Sequence, residues 1–430
     1  MNKISSKLVK PHTPTPQNLK NYKLSFIDEL VRPINNAVVL FYESIAEDAG
    51  SHILEASLAR ILVEFYPLAG RFMKKDSWID CSDEGAELVE AEALDVELMD
   101  LGPEMEIHEL RDLLPDQHFR RDEAPENPLL SIQITRFSCG GAAIAISVSH
   151  KVLDGSSLWT FVVAWSDAAN PYHDKKVNPT FHLSSLLPSV SKQAPDFGEQ
   201  RVGADHNVAL KRVLFNKETL RSLKLRIRHT DGKALSGVRV VCAVIAKALI
   251  RVDGAIHGRS RRSVILQAVD MRERSIPPQS RHACGNFAVP AMTRCIQAGA
   301  DVGVDQLVLL MGESVRNAIT RHAEILSPDV DGRHIYTDTM ERLIQHVSQP
   351  ETNIINFTDC SGFQFHDCDF GWGTPLWTRI HINGPSGNNF VLLMSDKEGH
   401  GIEAWIHLSQ HEMLYFDENY LFLKEYQPKL

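Results

Sequence analysis

The chain is poor in the features that mark several large protein classes. Cysteine occurs seven times in 430 residues, at 81, 139, 242, 284, 295, 360 and 368. The count is odd, the spacing irregular and no CxxC occurs, which argues against a disulfide framework and a cysteine-held zinc site and predicts reduced thiols. No apolar run approaches the ~18 residues of a membrane span. The start, MNKISSKLVKPHTPTPQNLK, lacks the apolar core of a secretory signal. A cytosolic protein without a membrane partner is therefore expected. Basic residues are outnumbered, 45 Lys and Arg against 55 Asp and Glu for a net charge of −10, so no nucleic-acid partner is expected. There is no GxSxG elbow, no short-period repeat and no low-complexity tract.

What is present is ordinary globular material, 43% hydrophobic and 23% charged. At a prior of ~150 residues per domain the length fits two or three domains. Pro11 to Pro16 reads as an extended lead-in. Ile53, Leu54, Leu58, Ile61, Leu62 and Phe65 keep helical spacing and predict a helix over 52–65. SIQITRF (131–137) and AAIAISVSH (142–150) read as strands either side of a Cys139-Gly140-Gly141 turn. Ser156 is placed to cap the helix of SLWTFVVAWSDA. Periodicity vanishes over 183–207, which reads as a linker. A second alternation follows. VALKRVLF is a strand, Asn216 caps a helix and Ser236 starts the helix of VRVVCAVIAKALI. SVILQAVD (263–270) is a strand and 304–326 a long helix. FVLLMSD and IEAWIHL are late strands, and Ser409 to Glu412 form a capping box for a last helix. The organisation predicted is α/β, two mixed layers of similar size, 1–182 and 208–430, joined by a crossover.

HxxxD recurs along the chain, so context must choose among His118, His150 and His334. His118 lies in the polar stretch QHFRRDEAPEN and is expected to be a solvated loop residue. His334 follows Asp331-Gly332-Arg333 and is expected in an exposed turn. His150 ends an apolar strand and is followed by Asp154-Gly155 and a helix start, a rigid position that can face a cleft. On local physics alone, a structural histidine joining strand to helix fits this position as well.

A second constellation is Asp369-Phe370-Gly371-Trp372-Gly373. Two glycines around an indole permit unusual dihedrals, and a structural turn is the expected role. Its DFG triplet is not kinase-like, since no GxGxxG loop or HRD loop accompanies it. The neighbouring His366-Asp367-Cys368-Asp369 is not expected to hold a metal, because adjacent residues on an extended chain point to opposite faces.

His150-Lys-Val-Leu-Asp154-Gly155 followed half a chain later by DFGWG resembles the plant BAHD acyltransferase family. TPTPQNLKNYKLSFIDEL (13–30), SLARILVEFYPLAGRF (57–72), IDCSDEGAELVEA (79–91), QAVDMR (267–272), Gly285-Asn286 and GIEAW (401–405) extend the resemblance, in order, over nearly the whole chain. It is nearest the branch that acetylates alkaloid and terpenoid alcohols. The resemblance implies two chloramphenicol-acetyltransferase-like α/β domains joined by a crossover loop, with a channel between them and His150 at its middle. It implies a monomeric enzyme that moves an acyl group, expected to be acetyl, from acyl-CoA to a small-molecule alcohol, with no tightly bound cofactor and no metal. A volatile-ester, sugar or amine acceptor, or a non-catalytic member of the fold, are the alternatives.

The resemblance also assigns roles. His150 is the general base. Asp154 points away from the cleft and pairs with Arg272, bracing the turn, and Gly155 lets substrate approach the backbone. Asp369, Gly371, Trp372 and Gly373 support the architecture. For CoA, Lys233 and Ser236 stand at a helix start suited to phosphate, although a solvated cap fits Ser236 equally. The basic stretch HGRSRR (257–262) is expected to be exposed. Two departures bear on the acceptor. Where the branch has a Ser-Trp-Cys-Arg-like stretch this chain has Asp359-Cys360-Ser361-Gly362, so the arginine that grips shikimate-type carboxylates is missing. Thr374 replaces a common lysine after DFGWG.

Overall fold

Two sets of strands, each rich in apolar and β-branched residues, build two separate six-stranded sheets. The computed structural model describes residues 1–45, 47–105, 107–120, 122–172, 177–189, 208–227, 235–349, 351–382 and 389–419. The chain divides into two units. The first comprises Met1–Asp196, Gln279–Phe287 and Gln364–Gly384, and the second Phe197–Pro278, Ala288–Phe363 and Pro385–Leu430.

In the first unit the strand order is Asn2–Val9, Ala86–Ala93, Leu130–Phe137, Ala142–Ser149, Asn35–Tyr42 and Trp377–Ile382. Ala86–Ala93 and Leu130–Phe137 run parallel and the other neighbours antiparallel, so the sheet is mixed. Ala142–Ser149 and its neighbour Asn35–Tyr42 are interior strands, and their residues are buried almost without exception, as strands covered on both faces must be. Ala37, Val39 and Phe41 pack with Leu98, Met105 and Leu110. Helices Glu47–Ile61 and Gly155–Ala169 pack on one another. Trp165 of the second helix is fully buried and its indole N–H donates to Ser57 Oγ at 3.1 Å, which satisfies the one polar atom that burial would otherwise strand. A three-stranded sheet of Asn21–Lys23, Trp78–Asp80 and Arg71–Met73 completes the unit.

The excursions 279–287 and 364–384 join this unit through specific bonds. Thr180 accepts from the Cys284 N–H at 2.7 Å and donates to the His282 carbonyl at 3.2 Å. Trp377–Ile382 zips along Asn35–Tyr42 as an edge strand.

In the second unit the order is Ala288–Met292, Arg262–Asp270, Thr352–Asp359, Asn389–Ser395, Ile402–Ser409 and Val208–Phe215, with the pairs flanking Thr352–Asp359 parallel. Helix Gly237–His257 presents Val241, Ile245 and Leu249 to a core with Ile265, Val391 and Ile406. The fold class is thus mixed α/β.

Several boundaries differ from those expected. The helix predicted over 52–65 runs Glu47–Ile61, because Leu62 to Phe65 unwind into turns before the Tyr66–Ala69 3-10 segment that carries Pro67. The helix begun by Ser236 continues to His257, and the one expected over 304–326 ends at His322. Within the predicted linker, Leu183–Leu186 forms a single helical turn, and 190–207 lie outside the described residues. Asn216 caps its helix by accepting from the Thr219 N–H at 2.9 Å. Ser409 and Glu412 form the reciprocal capping contacts of Gln410–Asn419.

Candidate active site

The central strand Ala142–Ser149 delivers His150 to the start of a tight turn. The Ser149 N–H donates to Leu129 O and the His150 N–H to Ile34 O, both at 2.9 Å. Val152 and Leu153 then donate back to the Ser149 carbonyl and reverse the chain. The Asn286 side-chain amide donates to the His150 carbonyl at 2.8 Å, so both polar groups of the histidine backbone are fixed.

The residue keeps partial solvent exposure, while its Nδ1 is buried without a hydrogen-bond partner. Nε2 is therefore the candidate proton acceptor of this ring. Burial lowers the imidazole pKa below its usual 6.5, because a charged ring is poorly solvated there. Its own carbonyl, the Asp154 carboxylate and Asn286 oppose this, and the Lys151 ammonium reinforces it. The net direction favours the neutral ring, the form in which an imidazole accepts a proton.

Asp154 does two structural things. One carboxylate oxygen accepts from the Ser157 N–H at 2.9 Å and so caps helix Gly155–Ala169. The other accepts from the Phe287 N–H at 3.1 Å. Ser156 therefore lies inside the helix rather than capping it. The aspartate two residues earlier takes the position, since its carboxylate is the stronger acceptor for the orphan N–H groups. Ser157 Oγ accepts from the Gly285 N–H at 3.2 Å, a further tie to the same segment. Arg272 belongs to the other unit, where it is buried at 1% exposure and contacts Asp270 Oδ1 at 3.1 Å.

Asp28 is a residue the sequence did not single out. It is buried, and burial pushes its carboxyl pKa up. Oδ1 accepts from the Asn286 N–H and side-chain amide, each at 2.8 Å, and Oδ2 from the N–H and hydroxyl of Ser25 at 2.8 and 2.7 Å. It thereby caps its own helix, Phe26–Leu30, and orients the amide that holds His150. The Gly285-Asn286 pair was visible in the resemblance, but nothing local couples it to an aspartate 258 positions away.

The DFGWG loop grips the far end of the helix that begins at Asp154. Asp369 Oδ1 accepts from the N–H groups of Gly371 at 2.7 Å and Gly373 at 2.9 Å. Those glycines have φ of +108° and +100°, which side-chain-bearing residues rarely adopt. The Asn170 side chain donates to the Asp369 carbonyl at 3.2 Å. Phe370 meets Trp165 edge-on at 4.9 Å and stacks on Trp372 at 5.8 Å, and both rings abut Tyr42. The Tyr42 hydroxyl donates to the Cys368 carbonyl at 2.8 Å.

The other histidines behave differently from expectation in part. His118 is not solvated but fully buried. Its Nδ1 lies 2.9 Å from Ser147 Oγ, on the strand that carries the candidate base, and its Nε2 lies 2.8 Å from His381 Nδ1. Burial, and then His381 and Arg111, hold its pKa well below 6.5. The polar stretch around it reads as loop, but a partner 263 positions away encloses the ring. His334 is exposed, though in helix Gly332–Val347 rather than a turn, with Asp331 as its cap.

Lys233 lies outside the described residues. Ser236 Oγ accepts from the Arg239 N–H at 3.3 Å and caps Gly237–His257. In HGRSRR, Arg261 clasps Asp253, Arg259 meets Glu351 and Arg262 donates to Gln349. Beside DFGWG, burial pushes the Cys368 thiol up to about 12. Among the described residues no three His, Cys, Asp or Glu side chains converge as a metal site. Among the described residues, none of the seven cysteines is in a disulfide.

Each unit is built on a mixed six-stranded sheet, and the first holds a histidine at a strand end beside an aspartate-capped helix. A family model described as the transferase family matches residues 1–423. The chain belongs to this family, that of the BAHD acyltransferases, and is an acyltransferase that uses an acyl-CoA donor. It is 47% identical over 422 residues to a pelargonidin 3-O-(6-caffeoylglucoside) 5-O-(6-O-malonylglucoside) 4'''-malonyltransferase of Salvia splendens, covering 97% of this chain and 98% of the relative. It is 32% identical to stemmadenine O-acetyltransferase of Catharanthus roseus over 98% and 97% of the two chains. The crystal structure of vinorine synthase matches with a TM-score of 0.82 at 31% identity, over 98% of each chain. No helix among the described residues is long and apolar enough to cross a membrane.

Proposed function

We propose that the protein transfers malonyl from malonyl-CoA to a sugar hydroxyl of a glycosylated phenolic compound, with His150 as general base. The observation that supports the donor and acceptor is the 47% identity, across nearly both full lengths, to a malonyltransferase acting on a glucosylated pigment. In this reading the proton of neutral His150 sits on Nδ1 and the lone pair on Nε2. Nε2 takes the acceptor hydroxyl proton as its oxygen attacks the thioester carbonyl. Collapse of the tetrahedral intermediate breaks the C–S bond, and the imidazolium returns the proton to the sulfur. The products are the ester and free CoA, and no acyl-enzyme is needed. A positioned base of this kind contributes roughly 10²–10⁴-fold. Lys233 and Ser236 are the proposed holders of a CoA phosphate, and the enzyme acts as a cytosolic monomer.

A second reading is acetyl transfer to an alkaloid or terpenoid hydroxyl. The 32% identity to an alkaloid acetyltransferase supports it. Gly362 argues against an acidic, shikimate-like acceptor under both readings, because open space stands where a gripping side chain would be. The test is competition between malonyl-CoA and acetyl-CoA at equal concentration, with a panel of flavonoid glucosides and polycyclic alcohols, read by thiol release and product mass. Malonylated glucoside as the dominant product supports the first reading. Acetylated alcohol alone supports the second, and no ester with any pair overturns both.

A further inference from the structure

Lys151 directly follows the candidate base, yet its side chain serves a different part of the molecule. Its ammonium donates to the Val31 carbonyl at 2.9 Å and the Glu29 carbonyl at 3.3 Å, and lies 3.6 Å from Glu123 Oε1. The side chain is only 11% exposed and passes 5.8 Å from the Phe72 ring centre. The two carbonyls belong to the C-terminal end of Phe26–Leu30, where helix carbonyls lack internal partners and a cation is favourable. The same five-residue helix carries Asp28, which anchors Asn286 on the His150 carbonyl. Ile34, just beyond the helix, takes the His150 N–H. Three tethers from one short segment thus converge on two consecutive residues.

We propose that Lys151 is a positioning residue for His150, fixing the height and field of the imidazole through the Glu29 and Val31 carbonyls and the Glu123 carboxylate. The inference rests on His150 being the base. A lysine is costly to bury unless its charge is paired and hydrogen-bonded, and here carbonyls and a carboxylate do both. The charged groups around the pair are Asp154 and Lys151 on the histidine side, and Glu123, Asp28 and Glu29 on the lysine side. Lys74 also reaches Glu123, at 3.1 Å.

The field gives a readout that mere loss of packing does not. The Lys151 charge holds the imidazole pKa down, so Lys151→Met should move the acid limb of kcat/KM to higher pH. Glu123→Gln removes the screening carboxylate and leaves the ammonium, so the limb should move to lower pH. A displaced base should also lower kcat of Lys151→Met about tenfold, with the KM for acyl-CoA little changed. Lys151→Arg, which keeps the charge, should recover at least half of that loss. Limbs that coincide with wild type in both variants, or that move in the same direction, overturn the proposal. So does a kcat for Lys151→Met equal to wild type. Should Lys151→Met not fold, the Glu123→Gln limb decides alone: a shift to lower pH supports the proposal and no shift overturns it. A His150→Ala enzyme with full turnover would instead overturn the base assignment itself.

Discussion

At the scale of single residues, the proposed chemistry depends on one imidazole, that of His150. His150→Ala should lower kcat about 10²–10⁴-fold, with acyl-CoA affinity retained, as measured by steady-state turnover beside calorimetric binding. The sign of the pH dependence follows from burial. A lowered pKa means the ring loses its proton below pH 6.5, so kcat/KM should rise through an acid limb below that value and stay flat through neutrality. A limb above pH 6.5 would contradict the environment described. Asn286→Ala removes the amide that pins the His150 carbonyl and should lower kcat by about ten- to a hundredfold. His150 was legible as a candidate because an apolar strand, a turn and a helix start surround it in sequence. Asp28 and Asn286 were not coupled in advance, because the bond that joins them spans 258 positions. His118 misled for the same reason: its burial is built by Ser147 and His381, and no local pattern reports them.

At the scale of elements, helix Gly155–Ala169 is held at both ends, by Asp154 at its start and by the DFGWG loop at Trp165 and Asn170. Asp154→Ala removes a cap and leaves the Phe287 N–H without its acceptor, so it should cost about 2–3 kcal/mol in urea unfolding. Asp154→Asn, which keeps an acceptor for the cap, should cost about half as much. Gly371→Ala forces a side chain into φ near +108° and should cost roughly 1–3 kcal/mol in the same experiment. Helix periodicity and the strand alternations were readable because they follow from which side chains face a core. Helix ends were less so. The Glu47–Ile61 helix starts in the polar run EDAG, which carries no apolar period, and ends where packing lets Leu62 to Phe65 unwind.

At the scale of the whole chain, two mixed α/β layers of similar size were implied by two successive alternations of strand and helix. Which sheet claims residues 279–287 and 364–384 was not, because their attachment rests on the Thr180 bonds and on register with Asn35–Tyr42. The acyl donor was not legible either: HxxxD and DFGWG mark the family, not the group transferred, and identity to a malonyltransferase supports a donor other than the acetyl-CoA first expected. A net charge of −10 also means that an anionic CoA must meet locally basic surface, so raised salt should increase its KM. The most direct test of the account is product mass from malonyl-CoA and a flavonoid glucoside, with wild type and His150→Ala measured side by side. Monomalonylated glucoside and equimolar free CoA from wild type, with at most traces from the variant, is the predicted result. Equal ester formation by both proteins would contradict it.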